Sequence, residues 1–203
     1  MKLKVCGMQN TSNIKELLAV KPDFIGFIFH EKSPRNVVEI PNISIPENIQ
    51  KVGVFVNKPM DFIQNKITVF QLDYVQLHGN EAPEFCKKLQ EKSIKIIKAF
   101  NIHKNFDFNK LVNYHSYCDF FLFDASGKLA GGNGVTFNWN LLHKYNGKTP
   151  FLLSGGIDET MVSEIKKITH QMLAGIDINS GFEIKPAVKD IQKIKNFKEQ
   201  LNR

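Results

Sequence analysis

The sequence contains only three cysteines, Cys6, Cys86 and Cys118, and they are widely spaced. An odd number of distant cysteines favours neither a disulfide framework nor a zinc site, because both need cysteines that pair or cluster. Long apolar runs are also lacking, and none approaches the length of a membrane span. We therefore expect no membrane partner and no bound metal.

A signal-type segment is not evident either. The chain passes from Met1 directly into a strand-like segment, without an apolar signal region or a small-residue cleavage site. This beginning predicts a cytoplasmic protein. The net charge of +7 would suit nucleic acid or an anionic metabolite. However, the lysines are scattered and not interleaved with aromatic residues as on single-strand binding surfaces. We therefore expect no nucleic-acid partner and a modest attraction for phosphorylated ligands.

Eight short apolar runs recur along the chain at intervals of about 25 residues, the repeat length of a βα unit. Most are continuously apolar, as expected for strands that are buried on both faces of a parallel sheet. The predicted strands are residues 3–6, 24–29, 51–56, 74–77, 94–99, 120–123, 151–153 and 172–175.

Helix-like segments lie between several of these runs, at residues 14–19, 61–67, 82–90, 158–169 and 185–201. The sequence Thr11-Ser12-Asn13 is predicted to cap the first of them, and Pro59 precedes the second. The fifth unit is poorly patterned over residues 101–109, which predicts a short or irregular helix. Eight even repeats in 203 residues without a domain break favour a single-domain (β/α)8 TIM barrel over residues 1–203. An open doubly wound sheet is the alternative.

Two reactive side chains stand at the ends of predicted strands. Cys6 ends the first strand and is followed by Gly7, and Asp124 ends the sixth and precedes the glycine-rich residues 126–138. In a parallel barrel both strand ends open onto one face, where such folds place their active sites. A thiolate and a carboxyl group in one pocket can move a proton within a small molecule. We interpret residues 126–138 as a loop that closes over substrate.

Glycine-containing loops follow the last two predicted strands. Gly155 and Gly156 come after the seventh strand, and Asn179, Ser180 and Gly181 come after the eighth. Both loops precede predicted helices, and a helix N-terminus with exposed backbone N–H groups favours an anion. Barrels commonly build a phosphate site from these two loops. The pattern therefore predicts phosphate binding.

Three further side chains are candidate ligand contacts. Arg35 follows Ser33-Pro34 after the second strand, and its planar guanidinium suits a carboxylate. Gln76 is predicted to point into the barrel near its rim, and His78 to lie at the mouth. His78 could serve as a base, but a satisfied structural histidine explains the pattern equally well.

Taken in order, these segments resemble the phosphoribosylanthranilate isomerase family over essentially the whole chain. The order and spacing of the motifs carry the resemblance more than any one motif does. The carrying segments are residues 4–7, 26–29, 33–35, 52–55, 75–79, Asp124 with 131–134, Phe137 and Trp139, 154–156, and 177–183.

The resemblance implies a (β/α)8 barrel that converts N-(5-phosphoribosyl)anthranilate to 1-(2-carboxyphenylamino)-1-deoxyribulose 5-phosphate without a cofactor. It implies that Asp124 is the general acid and Cys6 the general base, and that Arg35 pairs with the anthranilate carboxylate. A monomer or a homodimer is expected. The implied substrate-binding residues are Arg35, Gln76, His78, Gly132, Asn133, Gly155, Gly156, Asn179 and Ser180.

The sequence departs from the family pattern at several positions, and three other functions are alternatives to the isomerase. Asn133 stands where the family usually has a hydroxyl residue, and we expect an altered loop contact there rather than lost activity. Ala187 stands where glycine is usual, which puts the turn before the last helix in question but not the chemistry. Another phosphosugar barrel enzyme is the second reading, although such barrels rely on lysine or carboxylate catalysts. A non-catalytic phosphometabolite sensor would not need the Cys6–Asp124 pair. A basic nucleic-acid module is the most distant reading, because no motif supports it.

Overall fold

The computed structural model describes residues 1–39, 41–125 and 139–203. Eight parallel strands form a closed barrel in sequential order, with β1 hydrogen-bonded to both β2 and β8. The predicted TIM barrel is thereby confirmed, and the open sheet is excluded. The strands are β1 Lys2–Val5, β2 Phe24–Phe29, β3 Gln50–Phe55, β4 Tyr74–Leu77, β5 Lys95–Asn101, β6 Phe120–Asp124, β7 Phe151–Ser154 and β8 Leu173–Ile178.

The predicted and observed strands agree closely, because continuous apolar runs mark strands that are covered on both faces. The bounds of β2 and β4 coincide with the prediction. The main difference is β8, which was predicted to end at Gly175 but continues to Ile178. Asp177 interrupts the apolar pattern there, yet it is buried because it pairs with Lys4 inside the barrel.

In the described part of the chain, five α-helices follow strands β1, β3, β4, β7 and β8. The N-terminal cap of the first helix is Asn10 and not the predicted residues 11–13. The Asn10 side chain accepts a hydrogen bond from the Asn13 backbone N–H at 3.0 Å. Pro59 does precede the second helix, as predicted. The helices are α1 Thr11–Leu18, α2 Met60–Phe70, α3 Pro83–Gln90, α4 Val162–Lys166 and α5 Ile191–Asn202.

Two predicted helices are much shorter than expected. The segment 158–169 contains only a 3-10 turn, Glu159–Met161, followed by α4. The segment 185–201 begins with an antiparallel hairpin, β9 Glu183–Lys185 and β10 Val188–Lys189, before α5 starts. Ala187 occupies the hairpin turn with a φ of 66°, so this alanine retains the left-handed backbone that glycine adopts more easily.

Short 3-10 helices, Phe108–Tyr114 and Trp139–Lys144, stand outside β5 and β6 in place of α-helices. The irregular fifth unit predicted from residues 101–109 is thus confirmed. A cluster of aromatic rings fills the outer layer there, with centroids typically 5 to 6 Å apart. Large rings supply the apolar cover that a longer helix gives elsewhere. The cluster includes Phe100, Phe106, Phe108, Tyr114, Phe121, Phe123, Tyr145 and Phe151.

The barrel interior is built in layers, each contributed by alternate strands. The floor consists of the rings of Phe24, Tyr74 and Phe120, which meet with centroids 5.6 to 6.1 Å apart. The strand registers define the layers above it. In ascending order they contain Lys4, Val52, Ile97 and Leu152; then Gly26, Gln76, Leu122 and Asp177; then Cys6, Val54, Ala99 and Ser154. The interior therefore changes from apolar to polar toward the carboxyl ends of the strands.

Candidate active site

A cavity opens at the carboxyl ends of the strands, above the apolar layers. Eight of the eleven residues singled out from the sequence line it together, because the ends of β1, β4, β6, β7 and β8 bring them to one face. Those residues are Cys6, Gln76, His78, Asp124, Gly155, Gly156, Asn179 and Ser180, and the other lining residues are Ile28, Val54, Ser154, Ile157, Asp177 and Gly181.

Cys6 lies directly after β1, where its backbone N–H donates to the Ile178 carbonyl at 2.9 Å. Its side chain is only 4% exposed and lies over Gly26, where an added Cβ would come within 2.8 Å of the sulfur. The absence of a side chain at Gly26 thus leaves room for the Cys6 thiol. Burial raises the pKa of the Cys6 thiol, and the nearby Lys4 ammonium partly offsets this increase.

Asp124 lies at the end of β6 and belongs to a chain of polar side chains across the mouth of the barrel. His78 Nε2 is 3.2 Å from Asp124 Oδ2, and Gln76 Nε2 is 2.9 Å from His78 Nδ1. Because the Gln76 amide donates to Nδ1, the proton of a neutral His78 resides on Nε2 and points to Asp124. His78 is therefore placed to orient the Asp124 carboxyl group. The sequence had left open whether His78 is a base or a structural histidine.

Gln76 Oε1 has a different environment from its amide nitrogen. Gln76 is 1% exposed, and this oxygen has no hydrogen-bond partner among the described residues. A buried acceptor without a partner is costly, so such atoms commonly serve a ligand. Since Gln76 lines the cavity, this oxygen is available to a donor group on a bound molecule.

The two glycine-containing loops meet at one side of the cavity. Gly155 and Gly156 have φ angles of 100° and 64°, and a Cβ added to Gly156 would contact nothing within 4 Å. At Gly181 an added Cβ would lie 2.3 Å from the Ile157 carbonyl oxygen, so the loops approach closely there. The bare backbone suits a phosphate. The α-helices predicted after β7 and β8 do not begin at these loops, because short 3-10 turns follow these strands instead. The expectation of phosphate binding therefore depends on backbone N–H groups and not on the dipoles of long helices.

Arg35 lies beside Gly7 and is already engaged by a carboxylate of this chain. Its Nε and Nη2 donate to the two oxygens of Glu183, at 2.8 and 2.5 Å. A Cβ added to Gly7 would lie 2.7 Å from Arg35 Cδ, so the glycine makes room for the arginine side chain. Lys189 Nζ also donates to Glu183, at 2.7 Å, and to Asn179 Oδ1, at 2.6 Å. This cluster joins the β9–β10 hairpin to the cavity wall.

Two predicted contacts, Gly132 and Asn133, lie outside the described residues, as does the proposed closing loop at 126–138. The sequence analysis assigned no role to four charged residues that the structure places near Cys6. They are Lys4, Asp177, Glu183 and Lys189. Strand alternation places Lys4 on the same face as Cys6, and this signal was available. No local signal could pair Lys4 with Asp177, or Glu183 with Arg35, because the partners are far apart in sequence.

Within residues 1–39, 41–125 and 139–203, no helix is long and apolar enough to cross a membrane. The same residues contain no group of three or more His, Cys, Asp or Glu side chains placed to hold a metal ion. The polar groups that line the cavity are a thiol, carboxyl groups, an imidazole, amides, hydroxyls and the backbone of glycines. Such a set can transfer protons and bind an anion.

Comparison with known proteins gives a consistent result. The family model described as N-(5'phosphoribosyl)anthranilate (PRA) isomerase matches residues 3–200. An N-(5'-phosphoribosyl)anthranilate isomerase from Parabacteroides distasonis is 46% identical over 99% of this chain and 93% of its own length. The protein of the same name from Phocaeicola vulgatus is 44% identical over 99% of this chain and 98% of its own.

Solved structures agree with these matches. Phosphoribosyl anthranilate isomerase from Thermotoga maritima superposes with a TM-score of 0.83 at 30% identity, covering 100% of this chain and 98% of its own. A phosphoribosyl anthranilate isomerase in complex with reduced 1-(o-carboxyphenylamino)-1-deoxyribulose 5-phosphate has a TM-score of 0.81 at 28% identity, with the same coverage. The likeness thus extends over the whole chain, including every strand that contributes to the cavity.

Proposed function

This chain belongs to the N-(5'-phosphoribosyl)anthranilate isomerase family, and we propose that Cys6 and Asp124 are the base and the acid of its reaction. The protein is the isomerase of tryptophan biosynthesis that converts N-(5-phosphoribosyl)anthranilate to 1-(2-carboxyphenylamino)-1-deoxyribulose 5-phosphate. One observation carries the proposal: Cys6, directly after β1, and Asp124, at the end of β6, line the same cavity, with the two glycine-containing loops between them in the barrel.

The reaction begins at the furanose ring. Asp124 donates its proton to the ring oxygen, the C1–O bond breaks, and the amine nitrogen lone pair forms the C=N bond of a Schiff base. His78, 3.2 Å away, holds the Asp124 carboxyl in a fixed orientation during this step. The geometry supports a proton donor that is positioned before the substrate arrives.

The second step takes place at C2. The Cys6 thiolate removes the C2 proton, and the electrons of that C–H bond form the C1–C2 double bond of an enolamine while the C=N electrons return to nitrogen. Tautomerisation of the enolamine gives the ketone product. No electron is gained or lost overall, so one base and one acid are sufficient for the reaction.

Binding is assigned to groups around this pair. We propose that the backbone at Gly155, Gly156, Asn179 and Ser180 holds the phosphate, and that Arg35 pairs with the anthranilate carboxylate. Arg35 retains Nη1 and a second Nη2 hydrogen for a ligand, because Glu183 engages only Nε and one side of Nη2. Gln76 Oε1 is a further acceptor for the substrate. Gly132 and Asn133 are proposed as contacts on sequence grounds alone.

The remaining proposals concern the molecule as a whole. We propose one catalytic domain over residues 1–203, a cytoplasmic location, no nucleic-acid partner, and a monomer or homodimer. A structure of monomers generated from the dimeric phosphoribosylanthranilate isomerase of Thermotoga maritima matches this chain with a TM-score of 0.78 at 26% identity. Sedimentation of the purified protein distinguishes the monomer from the homodimer.

The assignment of acid and base is tested by turnover of freshly generated phosphoribosylanthranilate, followed by the loss of its fluorescence. We expect Cys6→Ser and Asp124→Asn to lose nearly all turnover while keeping the fold, because a hydroxyl is a far poorer base and an amide cannot donate an acidic proton. Cys86→Ser is the matched control, since Cys86 is equally buried but does not line the cavity. Near-normal turnover in Cys6→Ser would remove Cys6 from the mechanism.

A further inference from the structure

Lys4 is a charged side chain within the apolar part of the barrel. The strand registers place it in the same layer as Val52, Ile97 and Leu152, one layer above the aromatic floor. Its side chain is 0% exposed. A lysine is almost never fully buried without a paired charge, so the position needs an explanation.

The partner of Lys4 is a carboxylate from the neighbouring strand. Lys4 Nζ lies 2.7 Å from Asp177 Oδ1, and Ser154 Oγ donates to the other carboxylate oxygen at 3.1 Å. Replacing a buried ion pair with apolar side chains of similar volume is often neutral or stabilising. Stability alone therefore does not explain a lysine here, where the other three members of the layer are apolar.

The position of Lys4 relative to Cys6 offers the explanation. The two residues are separated by one residue on β1, so their side chains point to the same side of the strand. Gly26 on the adjacent strand β2 lies between the levels of Lys4 and Cys6. It has no side chain that could separate the Lys4 ammonium from the Cys6 sulfur. The Lys4 ammonium attracts negative charge on the Cys6 sulfur, which partly offsets the rise in the Cys6 pKa that burial causes.

We propose that Lys4 is a positioning residue that holds the Cys6 sulfur in its anionic, proton-accepting form. Before turnover the thiol releases its proton to water, and the ammonium of Lys4 balances the charge of the thiolate that remains. Asp177 pairs with the same ammonium and so limits its effect on the sulfur. This inference rests on the proposed role of Cys6 as the base, but the coupling of Lys4 to Cys6 can be measured without turnover.

Other charged groups also face Cys6. Lys189 and Arg35 approach from the hairpin and from the loop after β2, but both are ion-paired with Glu183. His78 and Asp124 line the same cavity from β4 and β6, and they contact each other. Lys4 differs from all of these groups because it shares the strand and the face of Cys6.

The test is the pH dependence of Cys6 alkylation by iodoacetamide, followed on the Cys6 peptide by mass spectrometry. Burial already raises the pKa of Cys6, so loss of the ammonium in Lys4→Met raises it further. We expect the alkylation midpoint of this variant to move up by about 1 pH unit or more. In Asp177→Asn the ammonium loses its competing carboxylate, and the midpoint is expected to move down. Opposite shifts are a result that simple repacking of the barrel would not give.

Lys98→Met is the matched control. Lys98 is 2% exposed and lies 3.2 Å from Glu81 Oε2. Its other hydrogen-bond partners are the carbonyl oxygens of Leu77, Gly79 and Ala99, and not Cys6. We expect this variant to lose stability while the Cys6 midpoint stays in place. An unchanged midpoint in folded Lys4→Met, or shifts of the same sign in both cavity variants, would overturn the proposal. If Lys4→Met does not fold, an unchanged midpoint in Asp177→Asn overturns it.

The pH dependence of kcat/KM separates this inference from the proposed function. When both hold, the acidic limb of the profile moves with the alkylation midpoint in each variant. Midpoint shifts without a matching shift in activity would support the coupling of Lys4 to Cys6 and overturn the assignment of Cys6 as the base. The two failures are therefore distinguishable in one set of proteins.

Discussion

The guanidinium of Arg35 forms a two-point ion pair with the Glu183 carboxylate, although the two residues are 148 positions apart in sequence. A two-point pair fixes the plane of the guanidinium as well as its position. Glu183 in turn accepts a hydrogen bond from Lys189, which is 0% exposed. The hairpin at the end of the chain therefore determines how Arg35 faces a ligand.

Glu183→Gln should weaken substrate binding through Arg35. The amide keeps the shape of the side chain but loses the charge and one acceptor, so Arg35 is no longer held in one plane. We expect KM to rise with a smaller change in kcat, and Arg35→Ala to raise KM about 10- to 100-fold because a charge-assisted hydrogen bond is lost. Steady-state kinetics measure both. An unchanged KM in Arg35→Ala would contradict its proposed role.

Glu183 should also contribute to the acid sensitivity of the fold. Burial alone would raise the pKa of Glu183, but hydrogen bonds and charges from Arg35 and Lys189 outweigh it and lower the value. Because the pKa of Glu183 is lower in the folded protein, its carboxylate stabilises the fold at pH values above its ordinary pKa of 4.5. This stabilisation is lost as the pH falls through the folded-state pKa.

Urea unfolding between pH 7 and pH 3 measures this contribution. We expect the free energy of unfolding of Glu183→Gln to fall less steeply with acid than that of the wild type. Glu31→Gln is the control, because Glu31 pairs with Lys58 on the surface, where solvent screens the interaction. The same acid slope in Glu183→Gln and the wild type would show that the cluster does not couple to folding.

Gly26→Ala should displace the proposed base. A Cβ at this position would lie 2.8 Å from Cys6 Sγ, so the thiol or the strand must shift. We expect a loss of about 1–3 kcal/mol in stability from overpacking, together with a large drop in kcat. Gly53→Ala is the matched control, since its Cβ would meet Leu72 at 2.4 Å, away from the cavity. Equal activity losses in both variants would attribute the effect to general destabilisation.

His78→Ala should lower kcat more than it changes KM. The variant removes the imidazole that lies 3.2 Å from Asp124 Oδ2 and helps to orient the acid. We expect a decrease in kcat of about 10-fold or more, because misorientation of a proton donor affects the chemical step. His103→Ala, at an exposed position outside the cavity, controls for the loss of a histidine. Full kcat in His78→Ala would leave His78 without a part in catalysis.

Strand positions and the fold class were predictable from the sequence because they depend on local pattern. Continuous apolar runs gave β2 and β4 with their observed bounds, and Cys6 and Asp124 were placed at strand ends on one face. The helices were less predictable. Residues 158–169 have helical periodicity, but packing against the barrel leaves only the five-residue α4 and a preceding 3-10 turn.

The sequence by itself determined the barrel, the shared face of Cys6 and Asp124, and the glycines of the last two loops. Only the tertiary structure decided the charges around the base. Lys4 meets Asp177 across 173 positions, and Arg35 meets Glu183 across 148. Closing the barrel brings β8 beside β1 and so creates both pairs. Because hydrophobic pattern reports whether a residue is buried but not which distant side chain it meets, these ion pairs could not be predicted from local sequence.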